Sequence, residues 1–257
     1  MARSGDGEKD GKGGTTPRLA RELESFGSVW EGGYFEGDPL DPFAHSYFGR
    51  LGYMSILHAT YLRCIKPYVK AGTVALEIGP GRGAWTRTML PAQEIYALDA
   101  LAEEHNQFYQ YLGHPRHVKY IQVRDFSCRE LPDDHFDFMF SFGCLCHVSF
   151  EGITQYARNT YPKMKRGADC FWMIADYDKY NWAVAHLDYL KFQAPASGAP
   201  RRYPPLPADK TDEPSPGRWY HAGMQRTCTV LEQAGYRIAD PDVGTDLRDP
   251  IIHFRKD

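Results

Sequence analysis

Val74-Ala75-Leu76-Glu77-Ile78-Gly79-Pro80-Gly81-Arg82-Gly83-Ala84-Trp85-Thr86-Arg87-Thr88 is the stretch on which the fold turns. An apolar run, Val74–Leu76, leads through Glu77 and Ile78 into a loop with glycine at 79, 81 and 83, and a helix-compatible segment follows. A strand, a glycine loop and a helix start form the layout of a nucleotide site. Glycine lets the backbone approach a ligand, and the free amides at a helix start present positive partial charge.

Downstream, apolar runs and helical stripes alternate. Strands are predicted at Val74–Ile78, Glu94–Leu98, Val118–Val123, Phe136–Phe142 and Cys170–Ala175. Helices are predicted at about Trp85–Leu90, Ala102–Leu112 and Ile153–Lys165, the last stopped by Gly167. After an interruption the pattern resumes with a helix near Ala222–Ala234 and strands near Tyr236–Ala239 and Ile251–Phe254. The order predicts an α/β fold: a mainly parallel sheet, helices on both faces, and a ligand at the carboxyl ends of the strands.

The flanks read differently. Residues 1–17 are rich in glycine and charge, without apolar patterning, and predict a disordered tail. Residues 18–70 form an arm with a short helix at Arg18–Phe26 and a longer one at Gly52–Tyr68 that could flank the ligand cleft. Between them lie Trp30, Tyr34, Phe35, Phe43, Tyr47 and Phe48, interleaved with turn signals and with the acidic run Glu22–Asp41. Such a segment suits either a lid over a polar or cationic small molecule or an arm packed on the core. A second candidate cap is the insert 177–221, whose proline-rich part is 195–217.

Composition narrows the class. Across 257 residues the apolar share is 42%, the charged share 25% and the net charge −3, which argues against a strongly basic nucleic-acid binder. No apolar run is long enough to span a bilayer, and the first residues lack the apolar core of a signal peptide. Six cysteines, several in apolar surroundings, fit a reducing cytoplasm, and Cys144-Leu145-Cys146-His147 lacks the second cluster that a metal site would need.

Gly79-x-Gly81-x-x-Ala84, with Asp99 twenty residues beyond Gly79, fits any adenosine-bearing cofactor. Three features narrow that. Glu77 sits within strand one, where it would reach the amino group of a cofactor with an amino-acid tail. Asp125 follows strand three beside Phe126, an acceptor and an apolar wall for adenine. Phe142 and Gly143 follow strand four, ahead of His147. With these residues the chain resembles the class I S-adenosylmethionine-dependent methyltransferases from about Val74 to Asp176, especially metal-independent ones acting on sugars and other small molecules. The resemblance implies a Rossmann-like, seven-stranded, mostly parallel sheet. It implies S-adenosylmethionine as cofactor and no metal. Gly79, Gly81 and Gly83 would face its methionine part, with Phe142 and Gly143, and Glu77 would orient its ammonium. Asp99 would hold the ribose hydroxyls, and Asp125 and Phe126 the adenine.

Methyl transfer from a sulfonium is an in-line displacement, and a hydroxyl acceptor also needs a base. His147, Asp176 and His221 are the candidate bases, with Asp178 close behind. Trp30, Tyr34, Tyr177, Asp178, Tyr180, Trp219 and Tyr220 are candidate acceptor contacts. The expected acceptor is a sugar-like hydroxyl, with N-methylation of an amino sugar as the alternative, favoured by the acidic arm. No nucleic acid or membrane partner is expected, and a homodimer is left open. Two other classes compete: a nicotinamide-dependent oxidoreductase, for which no proton-relay pattern stands out, and a non-catalytic binding protein of the same fold.

Overall fold

A computed structural model describes residues 17–30, 32, 37–43, 52–189, 219–246 and 248–257. Residues 1–16 of the predicted tail, Tyr34 and the proline-rich stretch lie outside the described residues, and Pro17, expected in the tail, starts a helix.

The run Val74–Ile78 forms β1, buried at every residue, as a central parallel strand with both faces covered must be. Around it the sheet has the order β3-β2-β1-β4-β5-β7-β6, where β2 is Glu94–Asp99, β3 Val118–Gln122, β4 Phe136–Ser141, β5 Met164–Met173, β6 Arg237–Asp240 and β7 Ile251–Arg255. β1 pairs in parallel with β2 and β4, β2 with β3, and β4 with β5. β7 runs antiparallel between β5 and β6. The seven-stranded, mostly parallel α/β architecture is the one expected.

The alternation of side chains divides the core into two faces. Leu76 and Ile78 join Leu98, Trp172 and the helix α1 (Pro17–Val29) through Leu19, Leu23 and Phe26. Ala75 joins Ile95, Phe138, Phe140 and the helix α2 (Ile56–Thr60, extended by a wider turn to Ile65) through Leu57, Cys64 and Ile65. α2 therefore braces the back of the sheet, and its residues do not line the ligand cavity described below, contrary to the expectation for Gly52–Tyr68.

Several boundaries differ from the expected ones, among them strand five, expected over Cys170–Ala175 and observed six residues earlier at its start, as β5. The helix expected over Ala102–Leu112 splits into α4 (Glu103–Asn106) and α5 (Phe108–Leu112), after α3 (Ala84–Thr88), because Gln107 turns left-handed at φ 55°. Glu103 restarts the second piece by accepting from Tyr109 N–H at 3.3 Å. The helix expected over Ile153–Lys165 is α6 (Phe150–Thr160), ending ahead of Pro162 in a short tight turn. Gly167, expected as its stop, lies inside β5 at φ 83°. The remaining helices among the described residues are α7 (Tyr177–Tyr189) and α8 (Met224–Gln233).

Candidate functional site

The carboxyl ends of β1, β2 and β4 open onto one cavity, which α1 walls with Leu23 and Phe26 and extends to Trp30. Gly79, Gly81, Asp99, Phe142, Gly143 and His147 all line it. Gly79 has φ 72°, and a Cβ there would lie 2.2 Å from Cys144 Sγ. The segment after β4 thus presses on the glycine loop so closely that only glycine fits. Gly83 serves the fold in another way. It starts α3 at φ 97°, and a Cβ would sit 3.1 Å from the Phe108 ring, so its close approach is to α5.

Asp99 Oδ2 accepts from Gly81 N–H at 3.2 Å and Oδ1 from Leu101 N–H at 2.9 Å. The Asn106 side chain and the Ala100 N–H also act on this carboxylate, whose edge lines the cavity. Burial raises the Asp99 carboxyl to about 6, against the opposing pull of those amides. Glu77, on the sheet face of Ala75, accepts a hydrogen bond from Thr86 Oγ1 of α3 at 2.5 Å. Burial raises its carboxyl to about 8; the Thr86 hydroxyl opposes this and the Asp99 charge adds to it. A cationic ligand group nearby would reverse both shifts.

The expected adenine contacts are placed elsewhere. Asp125 lies beyond the end of β3, with Oδ1 accepting from Ser127 N–H at 2.9 Å and Oδ2 paired with Arg129 at 2.5 Å. Burial would lift its carboxyl, but Ser127 and Arg129 outweigh that and hold it below the ordinary value. Phe126 is buried behind Tyr156, ring centroids 4.8 Å apart, and it is Tyr156 that lines the cavity. Local sequence could not show this, because Gly152 of α6 lets Phe126 turn inward: a Cβ on it would lie 2.8 Å from that ring.

The three candidate bases separate. His147 ends a short turn after β4, lines the cavity and meets the Trp30 ring edge-on at 4.9 Å. Asp176 is committed to helix starts: Oδ1 accepts from Lys179 N–H at 2.9 Å in α7, and Oδ2 from Met224 N–H at 2.8 Å in α8. His221 Nδ1 accepts from Tyr177 N–H at 2.9 Å, which leaves the proton of the neutral ring on Nε2. Burial holds His221 below its usual range, so that ring is a donor, with no free lone pair for base work. His221 and Asp176 are in this way corrected from candidate bases to groups that build the site.

Tyr177, Tyr180, Trp219 and Tyr220 gather beside this region without lining the cavity. Trp219 packs on Tyr177 and Tyr180, each at 5.3 Å. Tyr177 also donates its hydroxyl to the Trp219 carbonyl. Tyr220 N–H donates to the Cys146 carbonyl at 2.8 Å, tying the group to the segment that carries His147. Asp178 is exposed on the first turn of α7. The β6–β7 loop joins them: Lys179 Nζ meets Asp242 at 2.6 Å and the Asp246 carbonyl at 2.5 Å, and Arg248 lies over the Trp219 ring at 5.4 Å.

Three acidic residues of the arm are engaged within the protein, while Glu31 and Glu36 lie outside the described residues. Glu22 is buried against Ser149, and Asp38 pairs with Arg87 at 2.5 Å. Asp41 caps Phe43 N–H at 2.9 Å. Sequence reasoning missed Leu23, Phe26, Trp85, Asn106 and Cys144 as lining residues. The signal for the first two was present in the Leu19–Leu23–Phe26 stripe, which marks a buried helix face without saying what it covers.

Residues 76–171 match the methyltransferase-domain family model. No curated protein matches the sequence. Among solved structures, an S-adenosylmethionine-dependent methyltransferase from Mesorhizobium loti is 17% identical with a TM-score of 0.55, over 78% of this chain and 98% of that one. The N-methyltransferase NodS from Bradyrhizobium japonicum WM9, solved with S-adenosyl-L-homocysteine, is 14% identical with a TM-score of 0.51, over 93% of this chain and 96% of that one. The matched methyltransferase domain, the sheet order and the cavity at the strand ends agree that the chain has the class I methyltransferase fold, with residues 76–171 similar to the methyltransferase-domain family.

Proposed function

We propose that the enzyme methylates a hydroxyl of a sugar-like, polyhydroxylated small molecule, with His147 as the base. In this reading Asp99 holds the ribose hydroxyls, Glu77 orients the ammonium, and Gly79, Gly81 and Gly143 admit the methionine part of the cofactor. S-adenosylmethionine supplies the electrophilic methyl on a positively charged sulfur. The protein's own part is to align the acceptor oxygen, exclude water and take up its proton.

The observation that carries the base assignment is the difference among the three candidates. His147 lines the cavity, and neither Asp176 nor His221 does. The polar aromatic residues Tyr177, Tyr180 and Trp219, which stand beside the cavity rather than in its lining, are what favour a ring-shaped polar acceptor. His147→Ala is expected to lower kcat roughly 100-fold or more, with S-adenosylhomocysteine affinity within about threefold of the parent. Labelled-methyl transfer to a panel of sugars, glycosylated metabolites and aminoglycosides, followed by mass spectrometry, is the direct test. Transfer by the variant at the parent's rate would sink the base assignment. N-methylation is the second reading, and the likeness to NodS across 93% of this chain keeps amines in the panel. Labelling confined to amino groups would favour it.

A further inference from the structure

α6 begins with a cap that its own sequence leaves incomplete. Ser149 is the N-cap residue, and its Oγ accepts from Gly152 N–H at 3.2 Å. In the usual reciprocal arrangement the third helical residue returns a Glu or Gln side chain to the cap's own N–H. Here that residue is Gly152, where a Cβ would lie 2.6 Å from Val148 Cγ1 and 2.8 Å from the Phe126 ring. No side chain is available locally. The carboxylate comes instead from α1: Glu22 Oε1 accepts from Ser149 N–H at 2.6 Å, and Oε2 from the Ser149 hydroxyl at 2.7 Å. Glu22 is only 6% exposed, and Ser149 is fully buried.

The two partners stand at functional places. Glu22 adjoins Leu23 on the helix whose Leu23 and Phe26, with Trp30 beyond its end, form one wall of the cofactor cavity. Ser149 directly follows the segment whose Cys144, His147 and Val148 form the facing wall. A second contact joins the same two walls, Trp30 against His147 at 4.9 Å. Eight residues of near-helical chain separate Glu22 from Trp30, about 12 Å of rise. The walls are thus clasped at two points, of which the Glu22 contact is the buried, hydrogen-bonded one. Hydrogen bonds to a buried carboxylate are stronger than neutral ones.

We propose that Glu22 is a positioning residue of the methyltransferase: by completing the α6 cap it latches α1 over the cofactor cavity and sets how fast the demethylated cofactor leaves. The inference concerns the cofactor side and is independent of which acceptor is used. Opening the Glu22–Ser149 pair frees α1 and loosens the His147 segment in one event. Both walls then separate together, and a ligand held between them escapes.

The experiment is stopped-flow measurement of S-adenosylhomocysteine dissociation, followed by tryptophan fluorescence, for the parent, Glu22→Ala, Glu22→Gln, Ser149→Ala and the Glu22→Ala/Ser149→Ala pair. Glu22→Ala is expected to raise the dissociation rate about tenfold or more, because two bonds to a charged acceptor are lost. Glu22→Gln, which keeps one acceptor oxygen and the side-chain length, should restore part of the slow release. The double variant should release no faster than Glu22→Ala, since both changes break one unit. Thermal melts on the same samples separate a purely structural role: melting temperatures that fall while release rates stay within about twofold of the parent would overturn the proposal. Additive effects of the two single changes would also overturn it. Should Glu22→Ala fail to fold, the Gln and Ser149→Ala variants carry the same decision, and unchanged release in both would refute the latch.

Discussion

β2 and the strand path of β5 each lead to an aspartate at the ligand end of the sheet, Asp99 in one case and Asp176 in the other, yet the two are used in opposite ways. Asp99 accepts from Gly81 and Leu101 N–H and lines the cavity. Asp176 takes one backbone N–H on each oxygen too, but those amides begin α7 and α8. The same residue type borders open space in one case and is a joint where two helices converge in the other. Placement at a strand end is therefore not sufficient to make a carboxylate catalytic; what fills the space beyond it decides.

The largest expected effect lies on the β2 side. Asp99→Ala should weaken S-adenosylhomocysteine binding by about 100-fold, from the loss of two charge-assisted bonds to ribose. Calorimetry is the measurement, and a loss below about threefold would erase the contrast between the two aspartates. Asp176→Ala should do the reverse: affinity within about threefold, and a stability loss of about 2 kcal/mol from two missing caps, visible as a drop of several degrees in melting temperature. A large affinity loss with unchanged melting would place Asp176 in the binding machinery after all.

The smallest effect is protonic and concerns the β1–β2 side alone. In the ligand-free protein, burial raises Glu77 to about 8 and Asp99 to about 6, from ordinary values of 4.5 and 3.8. The folded chain therefore holds protons that the unfolded chain has already released, so these groups lower stability as pH rises from about 4 to about 8. A bound ammonium favours the charged carboxylate and expels a proton. Binding enthalpies near pH 7 in phosphate and in Tris should accordingly differ by up to roughly one proton's worth of buffer ionisation. Equal enthalpies in the two buffers would mean that Glu77 is already charged, or does not meet the ammonium.

The contrast between the two aspartates also marks where the sequence is informative. The glycine loop and Asp99 are readable because their spacing is local to one strand–loop–helix unit, whose geometry is fixed by backbone sterics. Strands β1 and β4 are legible from their apolar runs within a residue of their ends. What escapes depends on distant partners. Nothing near Glu22 announces Ser149, 127 positions away, so an acidic run that reads as a substrate lure is in part a buried cap. Nothing near Phe126 shows that Gly152 makes room for it. Pro162 is a local signal that the glycine further on obscures, although proline's missing N–H is the stronger break within a helix. For His221 the residue type fits a base and the role does not, because a backbone amide from Tyr177 fixes which nitrogen holds the proton.

The contact between Gly79 and Cys144 has a consequence for chemical labelling. Cys144 lines the cavity with its sulfur pressed on the glycine loop, and burial pushes its thiol far above the usual range. Such a thiol reacts slowly with alkylating agents. Once it has reacted, the added atoms must enter the space between the loop and the segment after β4. Loss of cofactor binding under a small thiol reagent would then run in step with modification at this position, and bound S-adenosylhomocysteine would slow both. The sulfur that makes glycine obligatory at position 79 thereby serves as a built-in clock for how often the cavity opens.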